Sequence, residues 1–286
     1  MKLIIISGRS GSGKSTALKA LEDAGYNCID NFPVNLLGAL VAEVATYEDA
    51  PAARMAVCID ARNRHLERFP ELLKHLDREH VDCQVVYLDA QSPTLVKRFS
   101  ETRRRHPLTN QQTDLQEAID TEVQMLASIA DLSDLTIDTT LMSGQNLVEV
   151  IKSRVIENTN SGLNLLFKSF GFKYGVPMDA DVVFDLRCLP NPFWVEDLRG
   201  LTGLEREVEA YLDGEDLVSV MFDDICAYLE RWLPHFEANN RVYMTVAIGC
   251  TGGQHRSVYM AERLAGHFED LKANIQVRHR ELNQIR

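Results

Sequence analysis

The sequence predicts an α/β fold: a doubly wound parallel sheet in the first half, followed by a second, smaller α/β domain. Three observations carry this. The apolar runs of the first half are continuous rather than alternating, as in strands buried on both faces of a parallel sheet. They alternate with segments of helical period, and β-α alternation implies right-handed crossovers. A glycine-rich turn joins the first strand to the first helix.

In order, LIIIS (3–7) reads as the first strand, and STALKALEDA (15–24) as a helix stopped by Gly25. Four further runs each end in an acid: NCID at Asp30, MAVCID at Asp60, QVVYLD at Asp89 and LTID at Asp138. Helices are expected around Val34–Val44, Leu66–Arg78, Pro93–Arg104, Leu115–Ala130 and Asn146–Ile156. ENTNSG (157–162) is polar and rich in turn formers, which separates domains at 1–157 and 163–286. The second domain opens with LNLLFKSFGF, a strand. DADVVFDLRCLPNP is a strand running into a proline-broken loop, Leu217–Trp232 is an amphipathic helix, and RVYMTVAIGC is a strand. TGGQHR is a loop and SVYMAERLAGHFED a helix.

Composition narrows the class. The 286 residues are 45% hydrophobic and 25% charged, values of an ordinary globular chain rather than a disordered one. There is no long uncharged apolar run, so no membrane partner is expected, and the short apolar start is unlike a signal peptide, so the cytoplasm is expected. The six cysteines form no CxxC pair, which argues against a disulfide framework or zinc site. A net charge of −12 argues against bulk nucleic-acid binding but leaves room for local basic patches. Two are visible: Arg103-Arg104-Arg105-His106, and the tail bearing Lys272, Arg278, Arg280 and Arg286.

Gly8-Arg9-Ser10-Gly11-Ser12-Gly13-Lys14-Ser15 matches GxxxxGK[ST] in full, between a strand and a helix. In such a P-loop the backbone N–H groups and the helix N-terminus cradle phosphates. Lys14 would reach the β/γ-phosphates and the Ser15 hydroxyl would hold Mg²⁺. One of Asp30, Asp60 or Asp89 would support the metal through water, although a strand-end Asp also serves as a helix cap. Asp60 is favoured, because Asp60-Ala61-Arg62-Asn63 places a carboxylate, a guanidinium and an amide at one strand end. Arg103, Arg104 and Arg105 are either a lid clamping a phosphoryl group or a solvated basic face.

Cys250-Thr251-Gly252-Gly253-Gln254-His255-Arg256-Ser257 repeats the strand, glycine turn and helix arrangement. Arg256 suits phosphate, and Thr251, His255 and Ser257 add donors. Non-catalytic phosphate binding, a Cys250-dependent phosphatase of C-x5-R-S spacing, and a structural turn all fit. Gly249 replaces the histidine expected of the phosphatase. Asp185 and Arg187 could line the same pocket or form an internal ion pair.

Together SGRSGSGKS, IDNFP, IDARN, YLDA, ETRRRHPL, SFGFKYGVPMDADVVFDLRCLPNP and TVAIGCTGGQHRSVY resemble the RapZ/YvcJ family across almost the whole chain. The resemblance implies a kinase-like nucleotide-binding domain followed by a phosphofructokinase-like one. It implies slow hydrolysis of ATP and GTP, with ATP at Gly8–Ser15 and guanine nucleotide at Asp60–Asn63. It also implies binding of small regulatory RNA and glucosamine-6-phosphate by the second domain, with the TGGQHRS loop as the sugar-phosphate site. RNA would be presented to the endoribonuclease RNase E, and a homo-oligomer is expected. The basic tail of enterobacterial members is diluted here by Glu281, Asn283 and Gln284. Two enzymatic alternatives follow from the residues alone: a small-molecule kinase using Lys14, Ser15, Asp60 and the arginine lid, and the phosphatase.

Overall fold

A computed structural model describes residues 1–46, 52–77, 80–156, 163–239, 241–269 and 274–282. The chain divides into two compact units, Met1–Thr159 and Asn160–Arg286.

Among the described residues the strands of the first unit are β1 (Lys2–Gly8), β2 (Asn27–Ile29), β3 (Arg54–Cys58), β4 (Asp82–Asp89) and β5 (Leu135–Asp138). They form one sheet in the order β2-β3-β1-β4-β5, with every pairing parallel. Leu3–Gly8 is buried throughout, as the continuous apolar run requires of the central strand. Among the described residues its α-helices are α1 (Lys14–Asp23), α2 (Leu37–Val44), α3 (Phe69–Lys74), α4 (Ser92–Thr102) and α5 (Leu115–Asp131), which lie between strands, and α6 (Gly144–Ile151), which follows β5. The helices expected from Val34 and Leu66 begin as single 3-10 turns. The one expected to reach Ile156 ends at Ile151, and a π-turn covers Lys152–Ile156. Arg78 lies outside the described residues.

Neighbours β1 and β4 send their chains opposite ways along the sheet, to β2 and to β5. A crevice opens at such a reversal, beyond the strands' carboxyl ends, and ligands bind there. The Gly8–Ser15 loop leaves β1 at that point.

The second unit holds β6 (Asn164–Gly171), β7 (Val182–Asp185), β8 (Tyr243–Cys250) and β9 (Ile275–His279), in the order β7-β8-β6-β9 and again wholly parallel. Its helices are α7 (Arg206–Asp213), α8 (Asp216–Ala238) and α9 (Arg256–Glu269). Two of these elements, α7 and β9, have no counterpart in the sequence reading. α8 runs beyond Trp232, past Pro234, to Ala238. Here too neighbours β6 and β8 send their chains opposite ways, each past the other, to β7 and to β9, and the Thr251–Ser257 loop begins at that reversal. Each unit has its own core: Leu3, Val57, Phe69 and Leu126 in the first, Phe167, Leu229, Ile248 and Phe268 in the second.

Gly8 has φ +140, and a Cβ there would stand 2.0 Å from the Leu88 carbonyl oxygen on β4. Gly38 sits inside α2 with open space around it. Gly8→Ala should therefore lose several kcal/mol of stability or fail to fold, since a backbone clash adds to the strained φ. Gly38→Ala should gain roughly 0.5–1 kcal/mol from helix propensity. Urea unfolding of both variants checks the pair.

Candidate functional site: a phosphate loop and a second glycine loop

α1 starts at Lys14 without a side-chain cap. Its first N–H groups are therefore turned to whatever lies in the crevice, the arrangement that favours anions. Lys14 folds back on its own loop, donating from Nζ to the carbonyls of Gly8 at 2.6 Å and Arg9 at 3.1 Å. These neutral acceptors can be exchanged for a phosphate. Arg9 points the other way. It is buried, its Nε donates to Asp89 at 2.6 Å, Nη1 donates to Ser92 at 2.9 Å, and Nη2 bonds the Ala90 carbonyl. Of the loop positions assigned to nucleotide, Arg9 is thus a strut between β1 and β4. Burial raises the Asp89 carboxyl above its ordinary range in spite of Arg9, and this pairing takes it out of contention as the metal-supporting acid.

Beside the loop lies a cavity of about 440 Å³. Its wall carries five basic side chains, among them Lys14, Arg104 and Arg105, against the carboxylates Asp30 and Asp60. In a chain of net charge −12 this is a concentrated positive site. Ser15, Asp30 and Asp60 open into the same space and offer the hard oxygen donors that suit Mg²⁺. Among the described residues no group of three His, Cys, Asp or Glu could hold a metal unaided. Of the three lid arginines, Arg104 and Arg105 line the cavity, while Arg103 ends α4 in a left-handed turn with φ 51.

The Asp60–Asn63 segment is closed on itself. Arg62 donates from Nε to Asp60 at 2.9 Å and from Nη2 at 2.5 Å. Burial works to raise the Asp60 carboxyl, but hydrogen bonds from Arg62 and the charges of Arg62 and Lys14 hold it below its ordinary value. The Asn63 side chain accepts from the Val34 N–H at 2.8 Å and donates to the Phe32 carbonyl at 3.1 Å. Ala61 is buried. Asp60 and Arg62 face the cavity, whereas Asn63 fastens the 32–34 turn.

Two participants escaped the sequence reading. Arg98 donates from Nη1 to the Gly11 carbonyl at 3.0 Å and from Nη2 to the Thr139 carbonyl at 2.5 Å, closing the far side of the loop. A smaller cavity of about 210 Å³ opens there, against Thr139, Met142 and Gly144. Glu122, fully buried on α5, accepts from the Ser10 N–H at 2.8 Å and from the Ser10 hydroxyl at 2.7 Å. Its Oε2 also lies 3.1 Å from His106 Nε2. Burial works to raise this carboxyl, but the His106 hydrogen bond, the Lys14 charge and the two Ser10 donors bring it below its ordinary value. A glutamate between Ile119 and Leu126 on an apolar helix face was the signal available in the sequence.

The second glycine loop is built differently from the reading of it as a phosphate cradle. Arg256 is buried, and its Nη1 donates to the carbonyls of Leu186 at 3.3 Å, Arg187 at 3.2 Å and Leu189 at 2.8 Å. Through Nη1 its guanidinium thus holds the chain after β7, while Nη2 lies 3.5 Å from the Thr251 hydroxyl in the loop. Cys250 is 3% exposed, with Sγ 3.2 Å from Ser257 Oγ and accepting from the Gly253 N–H at 3.2 Å. The Cys250 thiol is thus enclosed within the loop. His255 and Ser257 are buried, and burial holds the His255 imidazole below its ordinary pKa. Thr251, Asp185 and Arg187 are exposed. Arg187 grips Asp185 with Nε at 2.9 Å and Nη2 at 2.6 Å, and lies 4.0 Å over the Phe172 ring. The structure therefore brings Asp185, Arg187, Thr251 and Arg256 together, with Arg256 beneath the others.

The tail cations differ in placement. Arg278, on β9, is exposed. Arg280, expected at the RNA surface, is turned inward: Nε donates to Glu281 at 2.8 Å, and Nη2 to the carbonyls of Gly175 at 2.8 Å and Gly171 at 3.2 Å. Buried Glu281 packs on Gly253, where φ is +75 and a Cβ would lie 2.5 Å from the carboxylate. Lys272 and Arg286 lie outside the described residues.

Fold and phosphate loop together define a nucleotide-binding protein of the P-loop kind. The chain belongs to the RapZ family: residues 1–159 match the RapZ-like N-terminal domain and residues 163–283 the RapZ C-terminal domain. It is 53% identical over 285 residues, 99% of this chain and 100% of the relative, to a nucleotide-binding protein of Ectopseudomonas mendocina (strain ymp). It is 54% identical over 284 residues, with the same coverage, to the nucleotide-binding protein in the ptsN-ptsO intergenic region of Stutzerimonas stutzeri. Among solved structures, a shikimate kinase from Acinetobacter baumannii in complex with shikimate aligns with 55% of this chain and 94% of its own, at 17% identity and a TM-score of 0.37. No helix among the described residues is long and apolar enough to cross a membrane.

Arg256→Ala should destabilise the second unit by on the order of 3 kcal/mol, because it leaves buried carbonyls without their charged donor. Arg256→Lys should recover only part, since one ammonium cannot reproduce the planar fork. Denaturant unfolding of the full chain, followed by near-UV circular dichroism, checks this.

Proposed function

We propose that this chain is a regulatory adaptor. Its first unit binds ATP or GTP with Mg²⁺ and hydrolyses it slowly. Its second unit senses an amino-sugar phosphate such as glucosamine-6-phosphate and holds a small regulatory RNA for the endoribonuclease RNase E. The observation that carries the nucleotide part is the cationic cavity at the strand reversal beside β1, into which Lys14, Ser15 and Asp60 open. Lys14 would leave the Gly8 and Arg9 carbonyls for the β/γ-phosphates, while the Ser15 hydroxyl, with the Asp60 carboxylate beside it, would hold the ion. When bound there, Mg²⁺ would supply neutralisation of the phosphate charge. Arg104 and Arg105 approach from the lid side.

For the second unit, membership of the RapZ family over its whole length supports the sensing and RNA roles. The solvent-facing groups of the proposed sugar-phosphate site are the donors Thr251, the Gly252 backbone and Arg187 and the acceptor carboxylate of Asp185, with Arg256 supporting them from below. Arg278 remains as the described tail cation open to RNA phosphate. A cytoplasmic homo-oligomer completes the proposal.

Lys14→Ala should abolish nucleotide hydrolysis while leaving RNA affinity within about twofold, since the charge removed acts on the β/γ-phosphates alone. Phosphate release and RNA gel shift on the same preparation check it. Equal loss of both would refute the division of labour. Arg278→Ala should weaken RNA binding and flatten the slope of log K against log salt by roughly 0.7 to 0.9, one counterion's worth. A salt titration of both proteins reads this directly.

A further inference from the structure

The lid and the phosphate loop meet on one buried carboxylate. Glu122 accepts both the N–H and the hydroxyl of Ser10, at 2.8 and 2.7 Å. Its other contact is with His106, which directly follows Arg104 and Arg105. His106 Nδ1 accepts from the Leu108 N–H at 3.2 Å, so the proton that faces Glu122 Oε2 across 3.1 Å is carried by Nε2. Both side chains of this pair are fully enclosed, at 0% exposure. A buried carboxylate has no water to fall back on, so the loss of any one donor is costly and the three donors hold together or fail together. A second contact runs alongside: the Phe99 ring lies 5.1 Å from the His106 ring, and its edge would stand 3.3 Å from a Cβ on Gly11.

Nothing in nucleotide chemistry requires this arrangement. Glu122 does not line the cavity, and the Ser10 N–H that it takes is withdrawn from the phosphates. Its effect is mechanical. It fixes Ser10 at one end and the residue after the lid arginines at the other. We propose that Glu122 is a positioning residue, a buried latch that docks the 103–107 lid onto the phosphate loop and so sets Arg104 and Arg105 over the nucleotide's phosphates. This rests on the nucleotide-hydrolysing reading of the first unit.

The test uses the full-length chain. Glu122→Gln offers one acceptor oxygen where three donors converge, and puts an amide N–H against another donor. His106→Phe keeps the packing on Phe99 but removes the Nε2–H, and it stands in if the Glu122 variant does not fold. His106→Gln restores a donor near the Nε2 position and should restore function. Two readouts are taken. The first is the rate of trypsin cleavage after Arg103–Arg105 without nucleotide. It should rise by roughly tenfold or more in Glu122→Gln and His106→Phe, and return towards wild type in His106→Gln. The second is a double-mutant cycle on Mg-ATP hydrolysis. Glu122→Gln and the Arg104→Ala/Arg105→Ala pair should each lower kcat by about tenfold, while the combination should fall no more than about threefold below the arginine pair. Wild-type lid cleavage in both latch variants, or fully multiplicative losses in the cycle, would overturn the latch. If the wild type hydrolyses no nucleotide yet its lid is freed by both variants, the latch stands and the nucleotide-hydrolysing reading falls.

Discussion

Both sheets are parallel throughout, and a parallel sheet cannot be closed by hairpins. Every strand must be followed by a crossover, which covers the faces with helices and leaves the carboxyl ends as the place where loops converge. Strand order then decides which loops meet. In the first unit β1 separates β3 from β4, so the loop after β1 meets the ends of both. In the second, β6 and β8 lie side by side, and the turn after Gly171 meets the loop after Cys250. The two glycine loops are the same solution to one topological constraint, reached twice in one chain.

What differs is how each loop is held. Beneath the first lie a cation and an anion fixed from neighbouring elements, Arg9 against Asp89 and Glu122 against Ser10. Both are buried, and both are surrounded by partners that would be costly to remove singly. The charges left facing the cavity are mainly positive. In the second loop the buried cation is Arg256, bonded to backbone carbonyls, and the buried anion is Glu281, bonded to Arg280. There the strong charges are turned inward, and what faces solvent is a hydroxyl, backbone and the Asp185–Arg187 pair.

Most of this architecture was legible in the sequence. Uninterrupted runs such as LIIIS and MAVCID could be little else than buried strands, and the glycine loop with Gly13, Lys14 and Ser15 has few readings between a strand and a helix. The losses have physical causes. β9 is five residues long, only partly buried, and carries Arg278 and His279 with Arg280 following, so it reads as a basic tail. α7 is only eight residues long and rich in acid. Direction is the other loss. Composition places Arg9, Arg256 and Arg280 next to loops, but only the fold decides that each guanidinium points away from solvent, toward carbonyls or a carboxylate brought from elsewhere in the chain. Glu122 was visible as a misfit on an apolar face, yet its partners lie 112 and 16 residues away in sequence, and no local pattern connects them.

The inward turn of Arg280 ties the end of the chain to the centre of its sheet. Its backbone N–H bonds Ser169 on β6, its guanidinium bonds Gly171 and Gly175, and the neighbouring Glu281 packs on Gly253. Arg278 stands two residues before this anchor, exposed on the outermost strand. The glycine loop and the strand that displays the tail's open cation therefore share a hinge-free connection only a few side chains long. A substitution that displaced Glu281 from Gly253 would therefore loosen the loop and the end of that strand together.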